Sequence, residues 1–174
     1  MILNKILTLK TFDELEIGAQ GQYSKTLTER DIVLFGEASG DLNPVHFDDD
    51  YASKTVFKQR VGHGMWSAAL ISACIGTVMP GPGSLYLGQT LSFKAPARLG
   101  DVLTATLTIK AKLPKKILLI DCEVCNQDDQ LLVQGEARVL PPRSKAGNIE
   151  ISNLPDIQVS GLEQSDDRKN TGST

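Results

Sequence analysis

The sequence predicts an α+β domain in which a curved antiparallel sheet wraps one buried helix, and three observations carry that prediction. Residues 64–79 are apolar on nearly every side and rich in small side chains, and a helix hydrophobic all round belongs in an interior. After Pro80-Gly-Pro-Gly83 the pattern changes to period two, the signature of strands buried on one face. Between those strands lie only short turns, with no room for the crossover helices that a parallel sheet needs.

The elements follow in order. Residues 1–11 form an N-terminal segment before a domain at residues 12–140. Thr28-Glu-Arg-Asp31 ahead of Ile32, Leu34 and Phe35 has the form of a capping box opening a helix, and Ser39-Gly40 is its natural stop. Asp48-Asp-Asp-Tyr51 predicts a short helical turn, its carboxylates favoured by the dipole at an N-terminus. The buried helix follows, ended by Pro80-Gly-Pro-Gly83. Four half-buried strands are then expected. Their inward residues are Leu85, Leu87, Gln89, Leu91 and Phe93; Leu103, Ala105, Leu107 and Ile109; Ile120, Cys122 and Val124; and Leu131, Val133, Ala137 and Val139. Turn signals at residues 96–101, 113–116 and 126–130 separate them. Residues 141–174 turn polar and are expected to be a partly disordered tail.

Composition narrows the function. A length of 174 residues fits one domain with a real core, and a net charge of -3 with few aromatics offers neither the electrostatic footprint nor the stacking platform of a nucleic-acid binder. The N-terminus lacks the continuous apolar stretch of a secretory signal and no later run is long enough to span a bilayer, so a soluble cytoplasmic protein is expected. Cys74, Cys122 and Cys125 are too few for a disulfide framework. Cys122-Glu-Val-Cys125 has half of a zinc spacing. It falls on a predicted strand, however, where residues three apart face opposite ways, and no second pair completes it, so no metal site is expected.

Two segments concentrate the chemistry. Gly40-Asp-Leu-Asn-Pro-Val-His46 places an acid and one of the two histidines in a single proline-broken turn hung from a helix end, a candidate acid/base pair in Asp41 and His46. Gly62-His63-Gly64-Met65 stands directly before the buried helix, so the two segments could face each other across one cleft.

Ser39-Gly-Asp-Leu-Asn-Pro-Val-His46, His63-Gly-Met65 and Tyr86-Leu-Gly-Gln-Thr-Leu-Ser-Phe-Lys94, in that order and at this separation, resemble the MaoC-like (R)-specific enoyl-CoA hydratases of the hot dog fold. The resemblance covers residues 12–140 and is nearest to the hydratase half of bifunctional hydratase/phosphate acyltransferases, with no room for the second catalytic domain. It implies a long helix wrapped by the sheet, pairing of two units into a homodimer or a dimer of dimers, and an active site near their interface. It further implies (R)-specific hydration of trans-2-enoyl-CoA to (3R)-hydroxyacyl-CoA. It implies no metal or redox cofactor, with CoA entering only as part of the substrate. Carried over residue by residue, the dyad falls on Asp41 and His46, the oxyanion donor on the Gly64 N–H, a supporting hydroxyl on Ser72 and an orienting hydrogen bonder on Asn43. His63, Met65 and Gln89 belong to motifs near the substrate. Lys94 and Arg98 are candidate cations for CoA phosphates.

Each residue also has a structural reading. Taken singly, Asp41 caps a turn, His46 is a satisfied core histidine, Gly64 permits tight packing, Ser72 bonds back to its own helix, His63 ties down a loop, Gln89 sits on a strand face, and Lys94 and Arg98 are surface groups. Two alternative functions stand beside hydration. One is a dehydratase acting on a branched, carboxylated or carrier-protein-linked acyl thioester. The other, of a different class, is a non-catalytic acyl-CoA binding or scaffolding subunit.

Overall fold

The computed structural model describes residues 5–143, 149–151, 158 and 160–161. In chain order the elements are β1 (Lys5–Leu7), β2 (Gln20–Thr26), α1 (Glu29–Ser39), α2 (Asp49–Ser53), α3 (Gly64–Thr77), β3 (Leu85–Gln89), β4 (Ser92–Phe93), β5 (Val102–Leu113), β6 (Ile117–Cys125), β7 (Leu131–Leu140) and β8 (Ile149–Ile151). The main sheet is antiparallel throughout, in the order β2-β5-β6-β7-β3, with β4 also pairing with β7. This is the predicted α+β architecture, and it is the hot dog fold.

Capping chemistry fixes α1 as the sequence suggested. The Thr28 side chain accepts from the Asp31 N–H, Asp31 reciprocates at the Thr28 N–H, and Gly40 closes the helix in the left-handed conformation (φ 77°). The sheet curves around α3 because its inward residues meet the helix at matched heights. Leu107 of β5 lies opposite Cys122 of β6, which lies opposite Gly135 of β7. Leu103, Ala105, Leu107, Ile109, Ile120, Cys122, Val124, Val133, Ala137 and Val139 are all buried, in one cluster with Trp66, Leu70, Ile71, Cys74 and Ile75 of α3. Fully burying one such leucine or isoleucine contributes about 1.5–3 kcal/mol, so this interface dominates the stability of the domain. A register shift between Ile109 and Ala111 bends β5.

The structure departs from the sequence expectations in three places. First, α3 is not covered on every side: Met65, Ala69, Ser72 and Gly76 form an exposed stripe at helical spacing, because this chain supplies sheet to the other flank only. Second, the first expected strand is broken into β3 and β4, and most of its apolar residues do not turn into the core. Leu85, Leu87 and Phe93 are each about half exposed at the β3 and β4 margin of the sheet, and Leu91 between them packs against the core. Third, β2 was not expected at all. Its sequence, Gln-Gly-Gln-Tyr-Ser-Lys-Thr, shows no apolar alternation, and it is held at the sheet edge by backbone pairing and by a polar ladder. In that ladder Gln20, Gln22 and Ser24 meet Thr108, Thr106 and Thr104.

The expected polar tail falls largely outside the described residues, but Ile149–Ile151 within it pairs antiparallel with β1. Cys122 is buried and Cys125 only partly so, as expected of strand residues three apart. Among the described residues no helix is long and apolar enough to cross a membrane.

One glycine is required by close approach. A Cβ on Gly135 would stand 1.8 Å from the carbonyl oxygen of Thr90 and 2.8 Å from its carbon, where the chain crosses from β3 to β4. Backbone cannot yield as a flexible side chain does. Gly135→Ala is therefore expected to cost about 3 kcal/mol, at the upper end for overpacking. Thermal unfolding followed by circular dichroism should show a drop of roughly 6–12 °C, and an unchanged midpoint would contradict the packing described.

Candidate active site

The loop after α1 is a succession of side-chain turns. Asp41 Oδ1 accepts from the Asn43 N–H (3.3 Å), and Asn43 Oδ1 in turn accepts from the Val45 N–H (3.3 Å), each reaching two residues ahead as short polar side chains do. Pro44 opens the single 3-10 turn Pro44–His46, its fixed φ suited to a first helical position. The Asp-x-Asn-Pro-x-His spacing thereby delivers His46 to the interior while Asp41 stays half exposed.

Two bonds hold His46. Its Nδ1 is 2.8 Å from the carbonyl of Val61, and its own backbone carbonyl accepts from Arg60 Nε at 2.8 Å. Because a carbonyl only accepts, Nδ1 carries the proton, which leaves the Nε2 lone pair free. That Nε2 lies 3.9 Å from Asp41 Oδ2, too far for a direct hydrogen bond and close enough for one water to bond to both. Arg60 is itself anchored by Glu29 at the start of α1, with Nη2 2.6 and 2.8 Å from the two carboxylate oxygens.

His63 is the N-cap residue of α3 and is almost fully buried. Its ring is stacked on that of His46 with centroids 3.8 Å apart and planes at 31°, and its Nε2 bonds to the backbone carbonyl of Asp41 at 3.0 Å. Burial, first of all, and the neighbouring His46 hold its pKa below the ordinary histidine value. The Asp41 carbonyl and carboxylate oppose that shift. Asp41, His46 and His63 each bring a potential ligand atom within 4.8 Å of the others. Two of the four ring nitrogens are already engaged with carbonyls, however, and stacked rings direct their in-plane lone pairs side by side rather than toward one point.

A cavity of about 390 Å³ opens beside this group, its wall including Asn43, His46, Gly64, Ser67, Phe93 and Lys94. Gly64 is the first residue of α3, so its N–H has no acceptor within the helix and stands at the positive end of the dipole. Phe93 lies against it: a Cβ on Gly64 would be 3.1 Å from the ring. The structure thus gathers Asn43, His46, Gly64 and Lys94 around one hollow, while Asp41 stands off its wall, half exposed, with Oδ2 3.9 Å from His46 Nε2. Ser72 is exposed on the uncovered stripe of α3 and does not line this cavity within the chain, and Met65 shares that stripe. His63 lies beneath His46 and not on the wall. Gln89 bonds to Tyr86 and to the Thr90 carbonyl, and with its amide oxygen turned toward Arg98 the Gln59 side chain accepts from that guanidinium. Sequence reasoning missed Ser67, a buried hydroxyl on the cavity wall. Its position three residues after Gly64, one helical turn on, was the signal that could have found it.

Comparison with known proteins identifies the family. The family model described as the MaoC like domain matches residues 14–126. The chain is 44% identical to the (R)-specific enoyl-CoA hydratase of Rhodospirillum rubrum over 136 residues, which cover 78% of this chain and 94% of that one. It is 37% identical to the 3-hydroxybutyryl-CoA dehydratase of Methylorubrum extorquens over 134 residues, covering 77% and 85%. Among solved structures, the unliganded R-hydratase PhaJ1 from Pseudomonas aeruginosa superposes with a TM-score of 0.84 at 45% identity, covering 89% of this chain and 99% of that one. The motifs, the wrapped helix and these likenesses converge, and the chain belongs to the MaoC-like family.

Proposed function

We propose that this protein is an (R)-specific enoyl-CoA hydratase, adding water across the double bond of a trans-2-enoyl-CoA to give the (3R)-hydroxyacyl-CoA. The observation that carries the reading is the 3.9 Å gap between His46 Nε2 and Asp41 Oδ2, with His46 on the wall of a cavity that Gly64, the first residue of α3, also lines. Hydration needs a proton removed from water as its oxygen attacks C3, a proton delivered to C2, and negative charge accommodated on the thioester oxygen. A water held by both side chains meets the first two needs on one face of the substrate. His46 Nε2 accepts the proton, and Asp41 steadies the imidazolium and orients the water. The Gly64 N–H answers the third, where a comparable donor is worth about 2.7–4 kcal/mol. The water oxygen bonds to C3 as the π bond opens, the proton taken from water is returned by the dyad to C2, and the balance is complete without an oxidant or reductant, so the proposed reaction needs no metal or redox cofactor.

Lys94 at the cavity wall is suited to a CoA phosphate. The exposed stripe of α3 and the exposed apolar residues Leu85, Leu87 and Phe93 at the sheet margin suit a second copy of the chain, and a homodimer would cover them.

The test is direct. The purified protein should remove the enoyl-thioester absorbance of crotonyl-CoA, and the product should be oxidised by an (R)-specific and not by an (S)-specific 3-hydroxyacyl-CoA dehydrogenase. An inert protein, or an (S) product, would overturn the reading.

A further inference from the structure

His63 has no part in the reaction as described, yet it is a closely constrained polar side chain. It is 1% exposed, its Nε2 is committed to the Asp41 carbonyl, its ring lies on that of His46, and its Nδ1 is buried with no hydrogen-bond partner. Since the Asp41 carbonyl accepts, Nε2 bears the proton and Nδ1 is a bare lone pair. A purely space-filling role would be met better by an apolar ring, which leaves no orphaned acceptor in the interior, so the imidazole calls for another account.

The loop it holds supplies that account. The other hydrogen bonds described for the Asp41 backbone and carboxylate are local, to Ser39 and Asn43. The bond from His63, 22 residues away in sequence, is the long-range one. His63 is also joined by a peptide bond to Gly64, and the N–H of that peptide is the proposed oxyanion donor. Phe35 from α1 and Phe47 from the following turn pack against the same ring, at centroid distances of 5.0 and 5.8 Å, so it has little freedom to move.

We propose that His63 is a positioning residue: by donating Nε2–H to the Asp41 carbonyl while its ring supports His46, it sets the spacing of carboxylate and imidazole and locks that spacing to the Gly64 amide. The proposal rests on the hydratase reading and goes beyond it, because it assigns the alignment of three reacting groups to a side chain that touches neither substrate nor water. The depressed basicity of His63 is consistent with the role, since a neutral ring keeps a second positive charge away from the His46 imidazolium.

Three substitutions test it. His63→Gln keeps an N–H donor at the position of Nε2, His63→Phe keeps the ring without a donor, and His63→Ala removes both. With crotonyl-CoA, His63→Ala and His63→Phe are expected to lower kcat by about 100-fold, the scale of a misplacement near 1 Å, while KM stays within about threefold. His63→Gln should recover most of the loss. Thermal melts identify any variant that is not folded, and should His63→Ala fail to fold, the Gln and Phe pair still decides. The proposal is overturned if His63→Phe matches the parent protein, if His63→Gln is no better than His63→Phe, or if His63→Ala keeps full kcat. His46→Ala run in parallel separates the two readings. If that variant stays active, the dyad itself is wrong; if it is dead while His63→Ala is unimpaired, only the positioning role falls.

Discussion

His46→Ala is expected to lower kcat/KM for crotonyl-CoA by about 1,000-fold or more, within the range for a positioned acid/base group, while the protein remains folded. The loss is catalytic because of how the ring is held. Nδ1–H is committed to the Val61 carbonyl, so Nε2 is the one nitrogen that can take a proton, and it faces Asp41 across a gap of one water. Deleting the ring removes that lone pair and the cation that would form on it. The structural cost is the Val61 hydrogen bond and the packing of a buried ring on His63, about 2–4 kcal/mol, borne outside the main core between α3 and the sheet. Asp41→Asn is the companion variant. It preserves the acceptor for the Asn43 N–H and removes only the charge, so its loss of about 100-fold or more would report the electrostatic part. Steady-state rates with circular dichroism on both variants check the expectation, and full activity in both would refute the dyad.

Gly64→Pro is the second large effect. Gly64 is the first residue of α3, the position where proline is best tolerated, and His63 before it already has the extended backbone (φ -61°, ψ 130°) that proline demands of its predecessor. Proline therefore deletes the N–H while leaving the helix intact. Its added carbons press on Phe93, as would those of any other residue, so Gly64→Ala is the steric control. If the N–H stabilises charge on the thioester oxygen, Gly64→Pro should lose about 100- to 1,000-fold in kcat beyond whatever Gly64→Ala loses. Equal losses in the two variants would place the effect in crowding and remove Gly64 from the oxyanion role.

Much of this architecture was legible in the residues, for reasons that can be named. Thr28 to Asp31 and Ser39-Gly40 marked α1 because capping is local chemistry, settled by neighbours in sequence. The inward faces of β5 and β6 were legible because burial on one side imposes alternation, and Leu103 through Ile109 obey it; on β7 the alternation holds from Val133 onward, but a register shift beside Cys125 buries Leu132 in place of the expected Leu131. β2 was illegible because an edge strand with polar groups on both faces has no such alternation to display, and its partners lie some eighty residues away. The uncovered stripe of α3 was misread for the opposite reason. A helix apolar all round reports that every side is destined for burial, without saying that its own chain covers every side. At the site, Asp41, Asn43 and His46 stood out because their spacing makes a turn. Ser67 and Phe93 did not, because what makes them wall residues is the approach of β4 to the start of α3.

Arg60 and Val61, adjacent in sequence, grip His46 at its two ends, the first at its main-chain oxygen and the second at its ring. An imidazole clamped in this way cannot swing between a receiving and a delivering pose, so protons must come to it and leave it through a single atom. On the proposed hydratase reading, turnover would start from an apparatus already assembled, and the reorganisation that bulk solvent would undergo around a forming charge would be completed once, when the chain folds.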